Sequence, residues 1–210
     1  METINVILAL LLYGALHSLT AAIRVKAIFV TLMGERAYLG WYRLFYNSIS
    51  AITLLPVLAL IVAEPGEAIW TIDGPLAILF RALQLAGVLG VLISFLQIDW
   101  MRFAGLRQAL AHLNGDPLPL PPEPLSREGV YRLVRHPLYF FSMMFLWFEP
   151  NMSAAWLGFC IGSTLYFVLG SLLEERKMRR AFGEEYAAYQ RQVAWMIPYV
   201  GPFRKQDDGS

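Results

Sequence analysis

The chain has 210 residues, 57% apolar and only 16% charged, with a formal net charge of +1. Soluble domains run about 45–50% apolar and about 25% charged, so this excess, gathered in long blocks, argues for a membrane protein. The near-neutral balance gives no basic surface for nucleic acid, and a single cysteine, Cys160, excludes an internal disulfide.

In chain order, Met1-Glu2-Thr3 lacks the basic start of a signal peptide, and no A-x-A-like site closes the first apolar run. That run is therefore expected to be a retained helix. Four stretches have spanning length, which takes about 20 residues. They are Ile4–Ile23, Leu44–Ala63, Leu76–Ile98 and Met152–Leu173. The second and fourth hold no ionisable Asp, Glu, Lys, Arg or His; the first holds His17 and the third Arg81. An ionisable group inside a membrane helix is a functional candidate by default. His17, with Tyr46 and Asn47, is thus a candidate acceptor site. The competing reading is a neutral histidine bonded to Asn47 or Tyr46. Arg81 is expected to snorkel or to pair with Asp73 or Glu67.

Asp116 to Pro124 carries five prolines in nine residues and is neither helix nor central strand. It is read as a stiff extended strip. Pro137–Phe148 is too short to span alone. The turn signal Glu149-Pro150-Asn151 follows it, so it forms one arm of a helical hairpin with Met152–Leu173. Beyond Leu173, Phe182, Tyr186, Tyr189 and Val193 fall at helical spacing among charges. That predicts an amphipathic helix on the membrane or on the protein, with Gly183 interrupting it or allowing close packing.

Charge orients the set. With five helices, sixteen of the seventeen Lys and Arg residues fall on one side, Arg81 being the exception. Four helices would split them. The positive-inside rule then places the N-terminus outside and the C-terminus in the cytoplasm. The expected fold is an all-α polytopic membrane helix bundle with about five transmembrane helices and a C-terminal amphipathic cytoplasmic helix. Residues 1–203 make one domain: 1–98 three membrane helices, 99–136 a cytoplasmic connection, 137–173 the hairpin, 174–203 a segment covering a cofactor. Residues 204–210 are expected to be a disordered tail.

Arg135-His136-Pro137 starts the hairpin, since proline fits a first helical turn. Counting helical rise from Asn151 gives about 22 Å back to His136 and about 34 Å on to Glu174. Upright helices would leave His136 about 12 Å deeper, with Arg135, His136 and Tyr139 as a floor and Glu174 and Glu175 as a rim. Arg135 and the helix start attract a carboxylate; a rim carboxylate suits an ammonium or a diol; Tyr131, Tyr139 and Phe140 suit a flat base or a cation. Each element also has a plain structural reading, such as a snorkelling Arg135 or an i,i+4 pair of Glu175 with Arg179.

Gly129-Val-Tyr-Arg-Leu-Val-Arg-His-Pro-Leu-Tyr139, then Glu174-Glu175, Phe182-Gly183-Glu-Glu-Tyr186, Tyr189, Val193 and Ile197-Pro198 resemble the signature of the isoprenylcysteine carboxyl methyltransferase superfamily. The resemblance implies that S-adenosylmethionine is held by Tyr131, His136, Pro137, Leu138, Tyr139 and Glu174. It also makes the stretch around Leu125 a cofactor wall. The family's prenylcysteine enzymes have an arginine four residues before the glutamate. Here that position is Gly170, which argues against prenylcysteine as acceptor. Upstream, Leu16-His17-Ser18, Phe95–Leu106 and Gly105-Leu-Arg-Gln108 are similar to bacterial methanethiol S-methyltransferases. Ala15–Ser18 and Arg43–Ser48 also resemble NnrU-like membrane proteins.

The resemblance implies methyl transfer to a small or lipid-like acceptor, foremost a thiol, at the cytoplasmic side of a bacterial inner membrane. Membrane lipids are expected partners; no metal site is expected, and oligomeric state is not legible. A thiol must react as thiolate, and a nearby cation lowers its pKa. Arg107 and Arg135 are candidates for that charge, and Asp99 for taking the proton or orienting an arginine. Two alternatives stand beside this: a haem-binding protein of the NnrU type, with His17, His112 or His136 as ligands, and a phospholipid N-methyltransferase.

Overall fold

The computed structural model describes residues 2–198, so the tail 204–210 and the end of the covering segment lie outside the described residues. It is helical apart from two short strands. The elements are α1 (Glu2–Ala21), α2 (Ile23–Met33), α3 (Glu35–Ala63), β1 (Ala68–Thr71), α4 (Gly74–Leu96), α5 (Trp100–Ala104), α6 (Leu106–Asn114), a 3-10 turn (Gly129–Arg132), α7 (Pro137–Trp147), β2 (Asn151–Ser153) and α8 (Ala154–Gln192). The two strands pair with each other. Helices α1, α3, α4 and α8 are long and apolar enough to cross a membrane, and α7 is the short apolar helix. Ile78 on α4 and Leu55 on α3 stay outward, 72% and 62% exposed. Such apolar faces are lipid-facing surface, which a soluble monomer would not tolerate at this extent. The protein is an all-α polytopic membrane bundle.

The described residues fall into two compact units. The first takes the chain up to Trp70, Asp99–Glu123 and Met152–Phe159; the second takes Thr71–Ile98, Pro124–Asn151 and the chain from Cys160 on.

In the first unit, α1 lies against α3 through Val6, Val57 and Ile61, with Ala155 at the start of α8 completing the core. Between the first two apolar stretches the chain forms α2 and the first turns of α3. Gly34 (φ 83) separates them, with its N–H still bonded to Val30 O. Helices α5 and α6 join at Gly105 (φ 97), a left-handed cap that only glycine adopts easily. A β-carbon there would also strike the Leu44 backbone. Arg102 then grips the proline-rich strip, with Nε 2.6 Å from Glu123 and Nη2 donating to Leu120 O.

In the second unit, α4 packs on α7 through small residues. A β-carbon at Gly87 would lie 2.8 Å from Phe141 O, and one at Gly90 would meet the Phe141 ring. Small residues let helix axes approach where lipid supplies no hydrophobic drive. Arg81 pairs with Glu149 at 3.0 Å rather than with Asp73 or Glu67, because the hairpin turn carries Glu149 onto the α4 flank. Gln84 donates to the same carboxylate at 3.1 Å. Helix α8 continues past the membrane stretch to Gln192. Gly183 breaks its course at φ 53, ψ −125, so the glycine interrupts the amphipathic segment.

Candidate functional site

The predicted cofactor residues converge within the second unit. Leu125 is half-buried on the strip leading into the 3-10 turn, and Tyr131 is half-buried on that turn. His136 is the N-cap of α7, Pro137 opens the helix, and Leu138 and Tyr139 follow in its first turn. Proline is suited to this place because it has no N–H to leave unpaired. Glu174 comes from α8. Its Oε2 lies 3.4 Å from His136 Nδ1 and accepts from Tyr139 OH at 3.4 Å. The Tyr139 ring stacks on His136 at 5.6 Å and on Phe167 at 5.1 Å. Gly170 sits one turn before Glu174; a β-carbon there would lie 3.6 Å from the Tyr139 hydroxyl.

This contact corrects the depth offset. An imidazole touching the carboxylate leaves no gap of about 12 Å between floor and rim, so the count of rise in upright helices does not describe these two ends.

The two neighbouring carboxylates differ sharply. The Glu174 side chain is 44% exposed, while that of Glu175 is 10% exposed. Glu175 accepts from Arg135 Nε at 2.8 Å and Nη2 at 3.2 Å, His136 Nε2 at 3.1 Å, Tyr186 OH at 2.8 Å, and Gln190 Nε2. Arg135 also donates to Val193 O at 2.6 Å and to Gln190 O at 3.2 Å. Its charge is thus neutralised inside the fold. Arg135, a candidate charge for a carboxylate or a thiol, is bonded to Glu175 and fastens the chain after Gly183. The backbone does the same, with Arg135 N–H donating to Ala194 O and His136 N–H to Trp195 O. Tyr189 OH donates to Tyr131 O at 2.6 Å. The amphipathic segment therefore lies on the protein, with Tyr186 and Tyr189 buried.

Electrostatics follow from these contacts. Burial disfavours charge on both Glu175 and His136. Hydrogen bonds from His136, Arg135 and Tyr186 nonetheless hold Glu175 down at about 2. Hydrogen bonds to Glu174 and Glu175 raise the His136 pKa. Burial, with the Glu174 charge, pushes Tyr131 up to about 12, so its phenol stays protonated. The Trp195 indole N–H is buried and has no partner among the described residues.

The remaining candidates lie in the first unit. Asp99 caps α5 by accepting from Arg102 N–H at 3.1 Å and pairs with Arg107. The Arg107 bond, acting against desolvation, lowers the Asp99 pKa. His17 bonds Tyr46 through Nε2 and Ser50 through Nδ1, the latter at 2.8 Å. Asn47 is not a histidine partner: its amide donates to Phe103 O at 2.9 Å and Ala104 O at 3.0 Å, closing the end of α5. Both ring nitrogens of His17 and of His136 are therefore hydrogen-bonded.

A family profile described as "Protein of unknown function (DUF1295)" matches residues 45–193. The chain belongs to this family. Among similar proteins, "Methanethiol S-methyltransferase 1" of Bradyrhizobium diazoefficiens is 31% identical over 200 residues, covering 92% of this chain and 66% of that protein. "Methanethiol S-methyltransferase" of Crocosphaera subtropica is 34% identical over 137 residues, 65% of this chain and 53% of that one. The Pseudomonas protein of the same name is 29% identical over 195 residues, 84% of this chain and 74% of its own length. The DUF1295 chain thus spans between 53% and 74% of the length of these relatives. No solved structure matches it. These relatives agree with the methyltransferase resemblance carried by Gly129 to Pro198.

Sequence reasoning missed the inward turn of Glu175 and the parts of Gln190 and Trp195. The only signal for Glu175 was the paired Glu174-Glu175 itself.

Proposed function

We propose that the chain is a membrane methyltransferase that takes S-adenosylmethionine as donor and a small thiol as acceptor. The observation that carries this is the half-open Glu174 carboxylate set against His136, Tyr139 and the start of α7. The donor set fits the cofactor. Glu174 suits an ammonium or a ribose diol. The ring stack of His136, Tyr139 and Phe167 offers a flat surface to adenine or sulfonium. The N-terminal end of α7, where the helix dipole favours negative charge, suits a carboxylate. Trp195 holds a spare buried donor.

Bound there, S-adenosylmethionine would supply an electrophilic methyl group to a thiolate sulfur, the sulfonium C–S bond breaking to release the demethylated thioether. The chain's task is then to orient two reactants and exclude water, which can supply most of the rate without a covalent nucleophile. On the acceptor side, we assign Arg107 the stabilisation of the thiolate and Asp99 the orientation of Arg107. His17, Tyr46 and Asn47 remain proposed acceptor-site residues. The proposed orientation is N-terminus outside and C-terminus in the cytoplasm of a bacterial inner membrane.

Methyl incorporation from labelled donor into methanethiol, larger thiols and phospholipid tests the acceptor. Product from a small thiol and none in lipid is expected. Label in lipid alone would favour the phospholipid alternative.

A further inference from the structure

We propose that Glu175 is a positioning residue: it holds the His136 ring from behind and joins that ring to the C-terminal segment after Gly183, without meeting the cofactor. The inference rests on the donor-site reading above and extends it to a residue that reading does not use.

Adjacent residues on a helix point about 100° apart, so one of the two α8 carboxylates faces the opening and the other the interior. Glu175 is the interior one, and its capacity is full. Five donors meet its two oxygens, and a carboxylate offers about four lone-pair sites. No place remains for a ligand. What the arrangement fixes is the imidazole. Held at Nε2 by Glu175 and stacked on Tyr139, the ring keeps Nδ1 aimed at Glu174. The donors on Glu175 come from two directions. Arg135 and His136 precede α7; Tyr186 and Gln190 lie beyond the break at Gly183. Docking of the C-terminal segment and orientation of His136 therefore share one anchor. A group locked by its neighbours holds its partner within the narrow tolerance a binding site needs.

The test uses the full chain in detergent with 15N-labelled histidine rings, the His136 signals being assigned by their loss in His136→Gln. Glu175→Gln, which sets an NH2 against the same donors, should shift the His136 Nε2 resonance and weaken S-adenosylmethionine binding by roughly tenfold. Glu175→Asp should recover part of both. Should Glu175→Gln fail to fold, Tyr186→Phe removes a single hydroxyl and should move the same resonance by less. A purely structural role would lower thermal stability and leave the ring signals and the affinity of the folded fraction unchanged; that result overturns the proposal. A wild-type protein that binds no S-adenosylmethionine, while the ring signal still moves in the variants, overturns the donor reading and supports Glu175 as the holder of the ring.

Discussion

His136 lies between two carboxylates, and that single fact sets its chemistry. Burial opposes its charge, but the bonds to Glu174 and Glu175 prevail and raise its pKa above 6.5. The stability this supplies is complete below about pH 6.5 and is lost as pH rises through the raised folded value. Glu175 has the opposite sign. Held at about 2 against an ordinary 4.5, it stabilises above pH 4.5 and loses that contribution as pH falls toward 2. The unfolding midpoint in detergent should therefore fall on the alkaline side of pH 6.5, and His136→Gln should flatten that limb; an unchanged limb in the variant would contradict the assignment. On the acceptor side, Arg107→Ala should depress methyl transfer while leaving donor affinity within about twofold, since Arg107 pairs with Asp99 and with no donor-site residue. Parallel kinetics and donor titration check this. Tyr131, His136 and Tyr139 could be proposed together because they stand in one short motif, with Glu174 following 35 residues after Tyr139. The inward turn of Glu175 was not legible, because sequence does not show which of two adjacent carboxylates faces the interior.

At the scale of elements, the close approach of α4 and α7 depends on Gly87 and Gly90. Gly87→Leu would drive a side chain into the α7 backbone at Phe141 and Phe145. Overpacking of this kind costs about 1–3 kcal/mol or more, so the midpoint of thermal unfolding should drop by several degrees. An unchanged midpoint would show that the two helices do not pack as described. The spanning helices were readable because lipid demands about 20 apolar residues in a row. Helix α2 escaped notice because its eleven residues are below that length and include Arg24 and Lys26. Helix α3 starts at Glu35 rather than Leu44 because Gly34 ends the preceding helix, whereas charge alone marked the apolar edge. Helix α8 outruns its apolar stretch for the converse reason: its charged continuation is still a good helix up to Gly183.

For the whole molecule, the apolar blocks and the one-sided distribution of basic residues give a testable orientation. Asp73 lies between β1 and α4, on the side expected to face outward. A cysteine replacing Asp73 should react with an impermeant reagent applied to intact cells; labelling only after permeabilisation would reverse the orientation. Bundle architecture was legible from hydropathy, but the meeting of Glu174 with His136 was not, since counting helical rise carries no information on tilt. The contact of Glu174 with His136 joins two separate sequence motifs in the proposed donor site. Calorimetric titration of the wild-type chain and of Glu174→Gln with S-adenosylmethionine tests this most directly. The wild type should bind, and the variant should remain folded and bind roughly 10- to 100-fold more weakly, the cost of losing a hydrogen bond to a charged group. Equal affinity in both, or no heat from the wild type at millimolar donor, would contradict it.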